Sequence, residues 1–289
     1  MTKADGLIVK GVGGLYAVRT PNDTFSCGAR GIFRKRGIIP LIGDRVGMQI
    51  TDEIKKTGTI HEIYGRTNEL ARPRAANVDQ AIVVMSVARP AWNAGLLDRY
   101  LTLAELAGIG SVAVCANKSD LAEDETVSGL LDPYLTAGYE TYATSAESGA
   151  GVEALRTCMA DKLSLFAGPS GAGKTSLLNM LSPSAPRETG GISEKNGRGK
   201  HTTRHAELID IFPSGLCADT PGFSMLDIED LSVSQLAATY REIGRIAAGC
   251  RFANCRHETE SECAVKRNVG ISIHPARYES YLRLIEGRA

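Results

Sequence analysis

The stretch "LSLFAGPSGAGKTSLLN" (163–179) limits this chain more than any other. A short, mostly apolar run leads straight into Gly168, and Gly168, Gly171 and Gly173 crowd the turn before "KTSLLNML" takes up helical spacing. A run of that length ending in glycine reads as a buried strand, and the glycines leave room only for a tight strand–loop–helix unit. Such units are built on parallel sheets with helices layered on them, so an α/β core is expected. Loop N–H groups and a helix N-terminus converge in this unit on one point that favours an anion. Gly168, Gly173, Lys174 and Thr175 satisfy G-x-x-x-x-G-K-[ST], with Pro169, Ser170, Gly171 and Ala172 inside the loop and Ser176 just after it. In that pattern Lys174 reaches terminal phosphate oxygens and Thr175 ligates Mg²⁺.

The surrounding chain supplies the rest of an α/β domain. "VDQAIVVMSVA" (78–88) and "GSVAVCANKSD" (110–120) are continuous apolar runs of the kind buried on both faces, and Leu97, Leu101 and Ala104 between them follow a helical period. "YETYATSA" (139–146) reads as a strand, "GVEALRTCMAD" (151–161) as a helix, and "AELIDIF" (206–212) and "GLCAD" (215–219) as two further strands. The expected architecture is a doubly wound parallel sheet. Asp219 closes a strand and opens "DTPG" (219–222), where a carboxylate can hold Mg²⁺ through water and the Gly222 N–H can meet a terminal phosphate. Before it, "GGISEKNGRGKHTTRHAEL" (190–208) is polar and glycine-rich, as a switch loop would be; Thr203 is the expected second Mg²⁺ ligand, with Thr202 the alternative. "NKSD" (117–120) selects the base. Asp120 can accept from both N1–H and the 2-amino group of guanine, whereas it would oppose an acceptor on adenine, which argues against a plain ATPase. Asn117 supports that site, the Lys118 stem lies along the base, and Ser145 and Ala146 of "TSAES" supply a loop whose Ala146 N–H meets guanine O6.

Two smaller units flank this core, with expected boundaries at 1–71, 72–230 and 231–289. The first reads as five short strands broken by turn signals, a β-barrel of the OB-fold kind, with a two-sheet sandwich as the alternative. Within it "RGIFRKRG" (30–37) gathers Arg30, Arg34, Lys35 and Arg36 around Phe33, a basic loop with an aromatic that suits nucleic acid, or a merely solvated loop. The last unit is mainly helical: "SVSQLAATYREIGRI" reads as one helix and "HPARYESYLRLIEG" as another, with Pro275 in its first turn. Between them Cys250, Cys255, His257 and Cys263 form C-x₄-C-x-H-x₅-C, three thiolates and an imidazole that can close a tetrahedral structural Zn²⁺ site, one per chain. Cys27, Cys115, Cys158 and Cys217 lie among apolar neighbours and are expected to be small buried hydrophobes.

Apolar content of 43% and charged content of 23% belong to a soluble globular chain, and no run approaches the roughly 20 apolar residues of a membrane span. A cytoplasmic monomer without membrane contact is expected. The net charge is zero, yet the two flanks are basic and the middle acidic, which directs a polyanion such as RNA towards the ends.

The motifs run NKSD, TSA, GPSGAGKT, GKHTTRH, DTPG, a circular permutation of the usual GTPase order. Together with the barrel, "ARPRAANVDQAIVVMS" at its junction, "LLDRYL" and the Cys/His cluster, this order resembles the ribosome small subunit-dependent GTPase family (RsgA/YjeQ) over nearly the whole chain. The resemblance implies a GTPase that yields GDP and phosphate, stimulation by the 30S subunit, late maturation of that subunit, contact with 16S rRNA, Mg²⁺ with GTP, and the same zinc. Phe223 stands where Ras-like proteins place a water-orienting glutamine, so His201 or His205, or an RNA or protein group of the partner, is expected to act in catalysis beside Lys174. An alternative is a nucleotide-gated RNA-binding module with incidental turnover. The permuted order also leads the chain from DTPG directly into the C-terminal unit, so nucleotide state is expected to act on that unit.

Overall fold

The computed structural model describes residues 2–71, 74–182, 206–219, 228 and 231–287. His201, Thr202, Thr203, His205, Gly222 and Phe223 lie outside them, as does the side chain of Asp219.

The first five strands carry the chain round a barrel. These are β1 (Lys3–Val12), β2 (Leu15–Arg19), β3 (Thr24–Ala29), β4 (Arg45–Asp52) and β5 (Thr57–Ile63). Their order is β1-β2-β3-β5-β4, and β4 returns to β1. Closure is possible because β1 is long: Lys3–Leu7 pair with β4 and Leu7–Val12 with β2, with a register shift between Ile8 and Lys10. Only β3 and β5 pair in parallel within the barrel. A closed five-stranded barrel, not a two-sheet sandwich, is therefore the N-terminal unit, filled by Ile8, Val18, Phe25, Val46, Met48 and Ile60. The basic segment is a helix, α1 (Gly31–Lys35), rather than a loop, and Phe33 is buried beneath it. Burial of that ring anchors α1 over the barrel and removes Phe33 as a stacking partner for a base.

After the short strands β6 (Glu69–Leu70) and β7 (Ala75–Ala76) comes the doubly wound unit. Its strands are β8 (Gln80–Ser86), β9 (Ser111–Asn117), β10 (Glu140–Thr144), β11 (Leu163–Ala167), β12 (Ala206–Asp210) and β13 (Leu216–Asp219), in the order β10-β9-β8-β11-β13-β12. All pair in parallel except β12, which is antiparallel to β13. The helices are α2 (Ala94–Leu106), α3 (Asp124–Ala137), α4 (Val152–Met159) and α5 (Lys174–Leu181). Alternate residues of β8 serve the two faces: Ala81, Val83 and Met85 share a core with α2 and α3, and Ile82 and Val84 one with α4 and α5. α3 has no counterpart in the sequence reading; Pro133 interrupts its pattern, although Gly138 ends it in the left-handed conformation.

The barrel and the sheet are continuous. β1 pairs antiparallel with β12 at Lys10–Glu207 and Gly11–Ala206, giving one eleven-stranded sheet. Lys10 Nζ meets Glu207 at 3.1 Å, and Arg19 donates to both carboxylate oxygens of Asp210 at 2.5 and 3.0 Å.

At the C-terminal end, the stretch expected as one helix is two, α6 (Val233–Thr239) and α7 (Arg241–Ala247), because Tyr240 adopts an extended conformation between them. A capping box between Ser232 and Gln235 starts α6. α8 (Ala264–Asn268) and α9 (Pro275–Ile285) follow, with Pro275 in the first turn of α9 as expected. Cys27, Cys115 and Cys217 are buried, while Cys158 is only partly so. Among the described residues, no helix is long and apolar enough to cross a membrane.

Candidate nucleotide site and metal cluster

The strand order reverses between β8 and β11: the chain moves outward from β8 through β9 to β10, then returns to β11 and continues towards β13. A crevice opens outside the carboxyl ends of the strands at such a switch point. The loop after β11 lies there, and its glycines are required by contacts with neighbouring strands. A Cβ on Gly168, at φ +125°, would stand 2.0 Å from the Val84 carbonyl oxygen; one on Gly173, at φ +95°, would stand 2.2 Å from Asn117 Nδ2. The loop is thus pressed against both β8 and the end of β9.

Contact with β9 is a hydrogen-bonded relay. The buried Asn117 donates from Nδ2 to the Ala172 carbonyl at 2.8 Å, and its Oδ1 accepts from the Thr144 hydroxyl at 3.1 Å. Cys115 Sγ lies 3.1 Å from the same hydroxyl. Loops after β9, β10 and β11, separated widely in sequence, are therefore tied to one another through Asn117. Thr144 opens the TSA motif, which by itself assigns it no role; the structure gives it one, as the donor that fixes Asn117.

Lys118 takes a left-handed conformation and starts a short 3₁₀ turn (Ser119–Leu121) that carries Asp120 to the surface. Its Nζ donates to the Arg89 carbonyl, which brings the segment after β8 to the site. Pro90 Cδ lies 3.4 Å from where a Cβ on Gly171 would stand, a second neighbour from that segment. Ser145 is buried, and its Oγ accepts from Glu147 N at 3.2 Å and Ser148 N at 3.0 Å, so it shapes the loop rather than facing outward. Asn117, Lys118, Asp120, Leu121, Ala146, Glu147, Gly173 and Ser176 line a cleft of about 360 Å³. A planar base can enter it with Asp120 and Ala146 at its edge.

Lys174 opens α5 and donates to the Gly168 and Pro169 carbonyls, both at 2.7 Å. Burial pushes its ammonium pKa down. A desolvated cation whose partners among the described residues are carbonyl oxygens gains most from a phosphate, which supplies charge balance as well as hydrogen bonds. Thr175, in the first turn of α5, is exposed beside it. Asp219 ends β13, the parallel neighbour of β11, and its backbone therefore reaches the same edge of the sheet as the loop.

In the C-terminal unit, Cys250, Cys255, His257 and Cys263 place their ligand atoms within 4.8 Å of one another. Cys250 Sγ is 3.5 Å from His257 Nδ1 and 3.9 Å from Cys263 Sγ, and Cys263 Sγ is 3.4 Å from His257 Nδ1. A tetrahedral Zn²⁺ with Zn–S of about 2.3 Å needs thiolates about 3.8 Å apart and sulfur–nitrogen edges of about 3.5 Å. The donor set fits. His257 sits at φ +63°, and Tyr278 and Tyr281 donate to the carbonyls of His257 and Arg256 at 2.6 and 3.0 Å, so α9 holds the knuckle in shape.

The family model for the RsgA GTPase matches residues 63–229, and that for the RsgA N-terminal domain matches residues 5–60. The small ribosomal subunit biogenesis GTPase RsgA of Alkaliphilus metalliredigens is 43% identical, over 97% of this chain and 96% of that protein. The protein of the same name from Caldanaerobacter subterraneus is 44% identical, over 99% and 96%. Among solved structures, that of YloQ, described as a circularly permuted GTPase, gives a TM-score of 0.82 at 36% identity, over 99% of this chain and 95% of that one. YjeQ from Thermotoga maritima gives 0.85 at 32%, over 99% of both.

Proposed function

This chain belongs to the RsgA GTPase family, and on that premise we propose that it binds GTP, hydrolyses it to GDP and phosphate, and acts in late maturation of the small ribosomal subunit, which stimulates the hydrolysis. The observation that carries the reading is the Asn117–Ala172 hydrogen bond, which joins a base-reading loop to a phosphate loop despite their inverted order in the chain. Asp120 would accept from guanine N1–H and the amino group, Ala146 N–H would meet O6, and the Lys118 stem would lie along the ring. Gly168 to Gly173 would surround the β-phosphate with N–H groups, and Lys174 would exchange its carbonyl partners for phosphate oxygens.

Thr175, Thr203 and Asp219 would hold Mg²⁺, with Thr202 as the alternative to Thr203. The ion, when bound, supplies charge neutralisation between the β- and γ-phosphates. Gly222 N–H would meet the γ-phosphate. His201 or His205 would position the attacking water, as Phe223 has no group that can. One zinc ion would be held by Cys250, Cys255, His257 and Cys263 as a closed structural site that braces the C-terminal helices. The barrel and this unit would hold 16S rRNA from two sides, in the cytoplasm and as a monomer.

The test is GTP hydrolysis by the purified protein alone, with 30S subunits and with 50S subunits. A large acceleration confined to 30S is expected; equal turnover in all three would remove the assigned partner while leaving the nucleotide site.

A further inference from the structure

Leu121, the residue after Asp120, is 59% exposed, whereas Ala122 beside it packs on the core. A single exposed leucine is ordinary on a protein surface. This one, however, stands in the base cleft, whose other lining side chains are polar, charged or no larger than alanine. With most of its surface in solvent, it adds little to the core that Ala122 joins. Its position in the cleft therefore calls for a role other than packing.

The turn that carries Leu121 explains how it comes to be there. Lys118 and Leu121 are the two ends of the 3₁₀ turn, which closes as the Leu121 N–H donates to the Lys118 carbonyl at 3.0 Å. Residues three apart in such a turn stand side by side, and both side chains line the cleft. The Lys118 ammonium donates to the Arg89 carbonyl, so its aliphatic stem is tied at both ends. Leu121 extends that stem into a wall of aliphatic carbon. A purine offers an edge of donors and acceptors, which Asp120 and the Ala146 N–H can read, and two ring faces that gain by leaving water. A leucine has nothing to offer the edge. It can cover a face.

We propose that Leu121 is a further nucleotide-binding residue, which covers a face of the guanine ring beside the Lys118 stem. It supplies affinity that is indifferent to the groups on the purine edge and leaves base selection to Asp120. The inference rests on the GTP reading given above. The ring face is the same in GTP and GDP, so both gain equally from Leu121. Binding that is equal before and in the transition state acts on KM and not on kcat.

The experiment measures binding of GTP, GDP and inosine triphosphate to the full-length protein with Mg²⁺, by competition with a ribose-labelled fluorescent GDP. Inosine keeps the ring faces and O6 of guanine and lacks its 2-amino group. Leu121→Ala should weaken GTP and GDP alike by roughly 3- to 30-fold, the worth of one to three carbons of covered apolar surface. It should weaken inosine triphosphate by the same factor, because the face is unchanged. The KM for GTP should rise with the dissociation constant while turnover at saturation holds. Leu121→Met, which keeps the apolar area, should bind within about threefold of wild type. Without nucleotide, Leu121→Ala should melt within about 2 °C of wild type, as expected of an exposed residue. Full affinity in Leu121→Ala overturns the proposal. So does a loss for GTP that vanishes with inosine triphosphate, which would mean that Leu121 acts by placing Asp120, and so does a fall in the melting temperature large enough to account for the lost affinity. A wild type that binds none of the three nucleotides defeats the GTP reading and this inference with it, whereas tight binding that is indifferent to Leu121→Ala defeats this inference alone.

Discussion

Arg277 offers the sharpest test of how the C-terminal unit is attached. Its side chain is 2% exposed and sits between Asp98 of α2 and Glu242 of α7, with its guanidinium carbon 4.3 Å from the Tyr240 ring and 5.2 Å from that of Tyr134. Nε donates to Glu242 Oε1 at 2.8 Å and Nη1 to Asp98. Arg277→Ala leaves two buried carboxylates facing each other without a cation. Breaking a buried pair in this way costs about 3–5 kcal/mol, which at about 2–4 °C per kcal/mol lowers Tm by roughly 6–20 °C. The assay is intrinsic fluorescence on heating, because Trp92 is the only tryptophan and packs edge-on to Tyr134 at 6.2 Å. It therefore reports on Tyr134, the ring against which Arg277 packs. Burial raises the Asp98 pKa, the attraction of Arg277 lowers it, and the arginine is what the variant removes. A carboxyl with a raised folded pKa adds stability below its unfolded pKa and loses it as pH rises, so the deficit should be larger at about pH 8 than at about pH 5. Replacing all three groups by neutral ones, Arg277→Met with Asp98→Asn and Glu242→Gln, should recover most of the loss. A single variant within about 1 kcal/mol of wild type, or a triple variant no better than the single, would refute the argument.

Four further outcomes follow from the geometry. Gly173→Ala drives a Cβ into Asn117 at a backbone angle that disfavours any side chain, so GTP affinity measured by a fluorescent analogue should fall about tenfold or more; unchanged affinity would separate the loop from the β9 contact. Asp120→Asn removes a charge-assisted acceptor, and GTP competition should weaken by about 1.5–3 kcal/mol with no gain for ATP; equal affinity would take Asp120 out of base recognition. Metal analysis should find one zinc per chain, lost in Cys263→Ser together with the cooperative unfolding of α7 to α9; a metal-free wild type that melts normally would remove the ion from the fold. Arg19→Ala should cost under about 1 kcal/mol, because the Arg19–Asp210 pair is 36% and 49% exposed and screened by water. A larger loss would mean that this pair, rather than the β1–β12 ladder, holds the barrel to the sheet.

What could be read from the chain alone was whatever depends on neighbours in sequence. Glycine spacing from 168 to 173 and the apolar strand before it define a strand–loop–helix unit by local sterics, and α5 begins at Lys174 as that spacing requires. Continuous apolar runs at 80–86 and 111–117 identify strands buried on both faces, and five short strands broken by turn signals identify the barrel. The cysteine and histidine spacing predicts four ligands close together, and they lie within 4.8 Å. The sequence reading failed where a local pattern was interrupted or overruled: Pro133 hid α3, extended Tyr240 split one expected helix into two, and the barrel core claimed Phe33 from the surface. Tertiary structure alone decided the rest. Nothing near Ala172 announces that Asn117, from a strand formed fifty-five residues earlier, will bond its carbonyl. Nor does any local signal tell β1 to extend the sheet through β12, or bring Asp98, Glu242 and Arg277 into one buried knot. Those contacts depend on strand order and on which faces remain to be covered once the elements exist. Both are settled by packing the whole chain at once.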